Sequence, residues 1–165
     1  MDNKWREIWN RRKPSTGKLS GNWEDTFLEL KRLNGYDVMG EGISLDAFLD
    51  EYAQTKELLC LTNDSSVFEV GCGTGANLYL MQRDGMTVGG TDYAEGLIET
   101  ARAVLSSPAE LYAGEADAIT VDQKYDAIFA SGVFPYFPSD DYAVHVLDLM
   151  REKSRGPIGI MGLHD

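Results

Sequence analysis

Val67-Phe68-Glu69-Val70-Gly71-Cys72-Gly73-Thr74-Gly75-Ala76-Asn77 runs from an apolar, strand-like segment through a glycine-rich loop into a helix-like segment. Glycine lets the backbone turn with positive φ and lets a ligand approach the main chain where a Cβ would block it. Gly71, Gly73 and Ala76 satisfy the spacing GxGxx(G/A) of dinucleotide-binding loops. The loop alone therefore leaves two readings open: a nucleotide-like ligand, or a tight strand-to-helix turn that holds nothing.

On the C-terminal side of this loop, short apolar runs ending in Gly or Asp (87–91, 110–113, 125–130 and 158–163) alternate with helical stretches at 77–83, 94–105 and 140–153. Alternating strands and helices predict an α/β fold with a mainly parallel sheet of about five strands, right-handed crossovers and helices on both faces. Ligands of such sheets bind beyond the C-terminal ends of the strands, so the chemistry belongs in the segments that follow each strand. On the N-terminal side, Trp5, Ile8 and Trp9 fall at helical spacing. A second helix is predicted over 23–33, ending near Asn34-Gly35, and a third begins after Ser44 as its N-cap. The expected organisation is a helical N-terminal cap or lid over 1–60 and a ligand-binding core over 61–165.

The chain has 165 residues, which suits one domain, and its hydrophobic and charged fractions of 43% and 25% are those of a globular protein. A formal net charge of −12 repels nucleic-acid phosphate and anionic lipid, so neither is expected as a partner. Lys4, Arg6, Arg11, Arg12, Lys13 and Lys18 make a local basic exception, read as the solvated face of a terminal helix. No apolar run approaches the roughly 18 residues of a membrane span, and no secretory h-region is present, so a cytoplasmic chain is expected. Cys60, Cys72, His145 and His164 have no metal-ligand spacing, and no metal site is expected.

Glu69-Val70-Gly71-Cys72-Gly73-Thr74-Gly75 resembles the first motif of the class I S-adenosylmethionine-dependent methyltransferases, in which an acidic residue precedes GxGxG by two positions. The resemblance extends from about residue 66 to the end of the chain and implies a three-layer, Rossmann-like fold. It implies that Gly71, Cys72, Gly73 and Gly75 pack against the methionine and ribose parts of S-adenosylmethionine. Glu69 would organise the loop or the cofactor's amino group. Asp92 and Tyr93 resemble the second motif, with Asp92 as ribose ligand; its spacing of about twenty residues from the first glycine suits that role. Asp92 and Glu95 also fit a D-x-x-E capping box, which needs no ligand.

Glu115-Ala116 is similar to the family's adenine-binding Gly-Asp-Ala segment, with Asp117-Ala118 as the alternative pair. Ser131 would close the fourth strand beneath the cofactor. Tyr136 stands where many small-molecule members carry His, as an orienting or wall residue, with core packing an equal alternative. The function implied is in-line methyl transfer to an O, N, S or C atom of a small-molecule acceptor. A nicotinamide-dependent oxidoreductase and a non-catalytic binding module remain as alternatives.

The family's domain usually has seven strands, and this chain ends at Gly162-Leu163-His164-Asp165 on the fifth. The core is thus expected to be C-terminally incomplete, with an open fifth strand inviting a second copy to pair as a homo-oligomer. His164 is the candidate general base. His145 shares the polar stripe of its helix with Asp148 and Glu152 and is expected to be solvated.

Overall fold

The computed structural model describes residues 3–15, 17–36 and 44–163. Five strands, β1 (Ser66–Val70), β2 (Thr87–Asp92), β3 (Glu110–Ala113), β4 (Ala127–Ser131) and β5 (Ile158–Met161), form one sheet in the order β3-β2-β1-β4-β5. Every pairing is parallel. The central strands are almost wholly apolar because both of their faces are covered: Val67, Phe68, Val70, Ala127, Ile128, Phe129 and Ala130 are all fully buried, with Glu69 the one charged residue among them. From β1 the chain builds outward through β2 to β3, then returns to add β4 on the other side of β1. That reversal opens a crevice between the C-terminal ends of β1 and β4.

Six α-helices occur among the described residues: α1 (Asn3–Asn10), α2 (Trp23–Leu33), α3 (Leu45–Leu58), α4 (Ala76–Arg83), α5 (Glu95–Val104) and α6 (Asp140–Lys153). Alternation along the strands sorts them into layers. Val67, Val88 and Phe129 face Leu78 and Met81 of α4 and Ile98 and Ala101 of α5. Phe68 and Ile128 point the other way, towards Val146 and Met150 of α6. This is the three-layer, Rossmann-like arrangement expected from the sequence, and none of the helices is long and apolar enough to cross a membrane.

The N-terminal helices are tied to the core. Phe27 and Leu30 of α2 share a buried cluster with Phe48 of α3 and Ala76 and Leu80 of α4. Asn22 caps α2, its Oδ1 accepting the Asp25 N–H at 2.8 Å, with acidic residues in the first turn and basic ones in the last. Helix α1 lies on α5, where the Gly96 N–H donates to Asn10 Oδ1 at 2.9 Å. A Cβ on Gly96 would come within 2.7 Å of the Asn10 carbonyl oxygen, so this contact is possible only at glycine.

The strand expected over 125–130 begins at Ala127. Tyr125 makes an isolated bridge to Ser154 and buries its ring against Phe68. Beside it the fully buried Lys153 donates to Glu110 Oε2 (2.6 Å) and to the carbonyls of Thr120 and Gln123 (2.7 and 3.1 Å). An ammonium without water is tolerated there because a carboxylate and two carbonyls replace its hydration. The last strand stops at Met161, two residues before the expected end. Strands β3 and β5 form the edges of the sheet, and α3 reaches β5 through a Thr55 hydroxyl 3.5 Å from Met161 Sδ.

Candidate functional site

A cavity of about 620 Å³ opens over the C-terminal ends of β1, β2 and β4. Gly71, Cys72 and Gly73 form part of its floor, and Trp5 and Trp9 of α1 and Tyr36 after α2 wall it from the N-terminal side. The glycine loop is held from two directions. On the sheet side the N–H groups of Gly71 and Cys72 both donate to the Thr91 carbonyl, at 2.8 and 2.9 Å. On the helix side Thr74 donates its N–H to Asn34 Oδ1 (2.9 Å) and its hydroxyl to the Leu30 carbonyl (3.0 Å). Asn34 approaches so closely that a Cβ on Gly73 would lie 2.4 Å from its Oδ1.

Glu69, on β1, is 2% exposed and faces this cavity. Its Oε1 accepts from Asn77 Nδ2 at 2.7 Å, whereas its Oε2 is buried with no hydrogen-bond partner. Burial pushes this carboxyl up to about 8, against the opposing pull of the Asn77 hydrogen bond and the nearby Lys31 ammonium. Asp92, at the end of β2, uses both oxygens: Oδ2 accepts the Gly73 N–H (3.0 Å) and Oδ1 the Ala94 N–H (2.9 Å). Burial raises it to about 6 although both backbone bonds favour the ionised form. The capping box is not formed. Ala94 is the N-cap of α5, and Glu95 instead pairs with Arg102 at 2.7 Å. Asp92 therefore stitches the glycine loop to the β2–α5 turn while facing the cavity.

This arrangement makes a specific prediction for Asp92→Asn. An amide offers one acceptor oxygen, so either Gly73 or Ala94 loses its partner and meets an NH₂ group. A buried donor left unsatisfied costs about 1–3 kcal/mol, so the urea midpoint of the unliganded protein should fall accordingly. An unchanged midpoint would mean that Asp92 does not anchor the loop.

Other expected residues divide between the cavity and the core. Glu115 and Ala116 line the cavity, whereas Asp117 is exposed and its N–H donates to the Tyr142 hydroxyl, so of the two alternative pairs Glu115-Ala116 is the one that faces the cavity. The Glu115 carboxylate pairs with Arg6 of α1, whose guanidinium also lies 5.5 Å from the centre of the Tyr93 ring. Ser131 and Tyr93 line the cavity as well. Tyr136, on a 3-10 turn after β4, lines it with 60% of its surface exposed, its ring 6.5 Å from that of Trp5.

Two expected contacts turn inward. Gly75 does not line the cavity; its αL conformation starts α4 close against Ala101 of α5 and Leu105, which follows that helix, so it serves helix packing. The Cys72 side chain is 2% exposed and lies in the core, its thiol pushed well up by burial, so it offers the cavity its backbone. His164, the candidate base, lies outside the described residues with Asp165. His145 is exposed on α6, as expected. Among the described residues no His, Cys, Asp and Glu cluster could hold a metal ion.

Lys31, Asn34 and Asn77, whose polar side chains border the cavity, are among the lining residues that escaped sequence reasoning. Asn34 was read only as a helix stop. Lys31 carried a signal, since it follows Leu30 on the face of α2 that also holds Phe27, where a lysine is out of place unless something pairs with it.

Residues 67–152 match the family model described as a methyltransferase domain. No curated protein matches the sequence. Among solved structures, S-adenosylmethionine-bound CalS10, an amino pentose methyltransferase from Micromonospora echinaspora, is 21% identical with a TM-score of 0.65 over 78% of this chain and 55% of that one. DesVI from Streptomyces venezuelae is 20% identical, with a TM-score of 0.60 over 83% of this chain and 56% of that one. The sugar N-methyltransferase KedS8 from a Streptoalloteichus species is 16% identical, with a TM-score of 0.59 over 68% of this chain and 45% of that one. The chain thus spans about half the length of these structures, and at such identities the likeness concerns the fold. The family match covers more than half of the chain and contains the glycine loop, Glu69, Asp92 and Glu115; the chain belongs to the methyltransferase-domain family.

Proposed function

We propose that the cavity binds S-adenosylmethionine and that the chain directs transfer of its methyl group to a nucleophilic atom of a small molecule. The observation that carries this reading is the unpartnered Oε2 of Glu69, buried at the edge of a glycine loop. A buried acceptor without a donor is costly, and an ammonium group from a bound amino-acid end would supply one. The cavity volume of about 620 Å³ lies within the range of small-ligand and cofactor sites.

When bound, S-adenosylmethionine supplies a sulfonium-activated methyl group. The task left to the protein is orientation and exclusion of water. Glu69 and the bare backbone of Gly71 and Gly73 fix one end of the site, and Asp92 keeps the loop in register with β2. Trp5, Trp9 and Tyr36 give the cavity aromatic walls, and Tyr136 stands across from Trp5. Holding two reactants in line can supply about 7–11 kcal/mol of rate enhancement without further chemistry from the protein. A small acceptor is favoured by these walls and by the net charge of −12, which opposes a polyanionic substrate. The amino pentose and sugar N-methyltransferases among the structural neighbours are consistent with an acceptor of that size.

Thermal unfolding with added ligand tests the cofactor reading. S-adenosylhomocysteine at a hundredfold excess over its Kd should stabilise by about 2.7 kcal/mol, a rise in Tm of about 5–10 °C for a chain of this size. NAD at the same concentration should leave Tm unchanged. A shift with NAD and none with S-adenosylhomocysteine would replace this reading by that of a nicotinamide enzyme.

A further inference from the structure

Helix α1 walls the cavity without belonging to the core. Trp5 and Trp9, one turn apart, border the cavity together, and the Trp5 ring stands 6.5 Å from that of Tyr136. No residue over 4–10 is buried, and none joins the apolar clusters that hold the sheet and the other helices. What ties α1 to the rest of the chain is mainly polar. Arg6 pairs with Glu115 and lies over the Tyr93 ring, Asn10 Oδ1 accepts the Gly96 N–H at 2.9 Å, and just beyond the helix Lys13 Nζ stands 3.5 Å from Glu99.

The contact with Gly96 is built for this purpose. Ala94, the N-cap of α5, has no side-chain oxygen to offer the first turn of that helix, and Asn10 supplies one from outside. Glycine inside a helix is disfavoured against alanine, yet only glycine fits at 96, because a Cβ would meet the Asn10 carbonyl oxygen at 2.7 Å. The residue thus serves the docking of α1 at the expense of α5. The segment that follows α1 is held separately: Arg12 donates to the Arg32 carbonyl at 2.9 Å, and the Ser15 N–H to the buried Glu29 carboxylate at 2.7 Å. Residues 12–15 are therefore pinned to α2 whether or not α1 is docked on α5.

We propose that α1 is a lid, hinged on the pinned segment 12–15 and latched by Asn10 on Gly96 and Arg6 on Glu115, which opens to admit and release the ligand of the cavity. A ligand that touches Trp5 and Trp9 binds the closed form better, so binding and closure favour each other. Release then waits on opening of the latch. The ligand is S-adenosylmethionine on the reading above, on which this half of the proposal rests; the latch itself stands on contacts of the unliganded chain.

Hydrogen exchange of the full chain, combined with stopped-flow dissociation of S-adenosylhomocysteine, tests both halves. A helix of 8 residues is marginal in water by itself, so undocked α1 loses its amide protection. Gly96→Ala touches no residue of the cavity wall and improves the helix propensity of α5, while its methyl group pushes Asn10 away. In this variant the α1 amides should exchange about tenfold faster, the worth of a lost cap, with α5 and the sheet as protected as before, and S-adenosylhomocysteine should dissociate faster by a similar factor. Asn10→Ala should do the same without added bulk, and Asn10→Asp, which keeps the acceptor oxygen, should behave as the parent. Unchanged α1 protection in Gly96→Ala and Asn10→Ala, or loss of protection in α1 and α5 together, overturns the lid. Faster exchange of α1 with unchanged dissociation shows that α1 opens but does not gate the cavity, which overturns the proposal as well. If the parent does not bind S-adenosylhomocysteine, the cofactor reading fails and the gating half with it, while the exchange pattern still decides the latch.

Discussion

Glu69→Gln is expected to make the unliganded protein more stable at pH 8 and above while weakening S-adenosylhomocysteine by about 10- to 100-fold, the worth of a hydrogen bond to a charged group. The two effects share one cause. In the folded chain burial holds the Glu69 carboxyl at about 8, far above its ordinary 4.5. Between those values the folded protein binds a proton that the unfolded chain has released, so the contribution of Glu69 to stability is full below pH 4.5 and is lost as pH rises through 8. Glutamine does not titrate. Its oxygen can still accept from Asn77, and its NH₂ then occupies the place of Oε2 and faces any incoming ammonium with donors.

Tm profiles of the two proteins from pH 4.5 to 9, with Lys31, Asp92 and Glu51 unaltered around the site, should therefore diverge upward with pH. Parallel profiles would show that Glu69 does not carry a raised pKa. Unaltered affinity would show that no cationic group meets it.

Gly71→Ala should be the most damaging single-methyl change in the loop. The residue has φ 73°, where an L side chain costs roughly 1–2 kcal/mol. The added Cβ would also fall 2.3 Å from Val133 Cγ2, and a β-branched neighbour in a packed wall cannot swing aside cheaply. Overpacking of this kind adds about 1–3 kcal/mol, for a total of about 2–5 kcal/mol. Gly132→Ala is the matched control: φ is 66°, and no atom lies within 4 Å of the added carbon, so it should cost only about 1–2 kcal/mol of backbone strain. Urea midpoints of the two variants separate the contributions. Equal losses would mean that the Gly71–Val133 contact does not constrain the loop.

The sheet was legible in the sequence because parallel strands buried on both faces are spelled as nearly continuous apolar runs: 127–130 is wholly apolar, and 67–70 is broken only by Glu69, which faces the cavity. The last strand and the start of the fourth were overextended, since Tyr125 carries the apolar texture ahead of the ladder of the fourth strand and Leu163 carries it past that of the fifth. Glu69, Gly71, Gly73, Asp92 and Glu115 were recognisable because motif spacing along one strand-loop-helix unit is local information. Gly75 shows the limit of the same motif: its spacing looks like cofactor contact, while its Cβ direction points to α5.

What the α2 end contributes, namely Lys31 and Asn34, depends on a helix some forty residues upstream docking against the loop through Leu30 and Thr74. No pattern within α2 specifies that partner. Asn77 was visible as the first polar residue of its helix, but its two-sided role, accepting from Lys31 and donating to Glu69, requires both to be placed in space. The pairing of Glu115 with Arg6, a contact between residues 109 positions apart, was beyond sequence reading for the same reason.

A crystal structure of the protein soaked or co-crystallised with S-adenosylhomocysteine tests the central claim most directly. The account predicts the ligand in the cavity over β1 and β4, its amino nitrogen within hydrogen-bond distance of Glu69 Oε2 and its adenosyl portion passing Asp92 towards Glu115 and Ala116. A ligand bound elsewhere, or an amino group turned away from a Glu69 that remains without a partner, would contradict it.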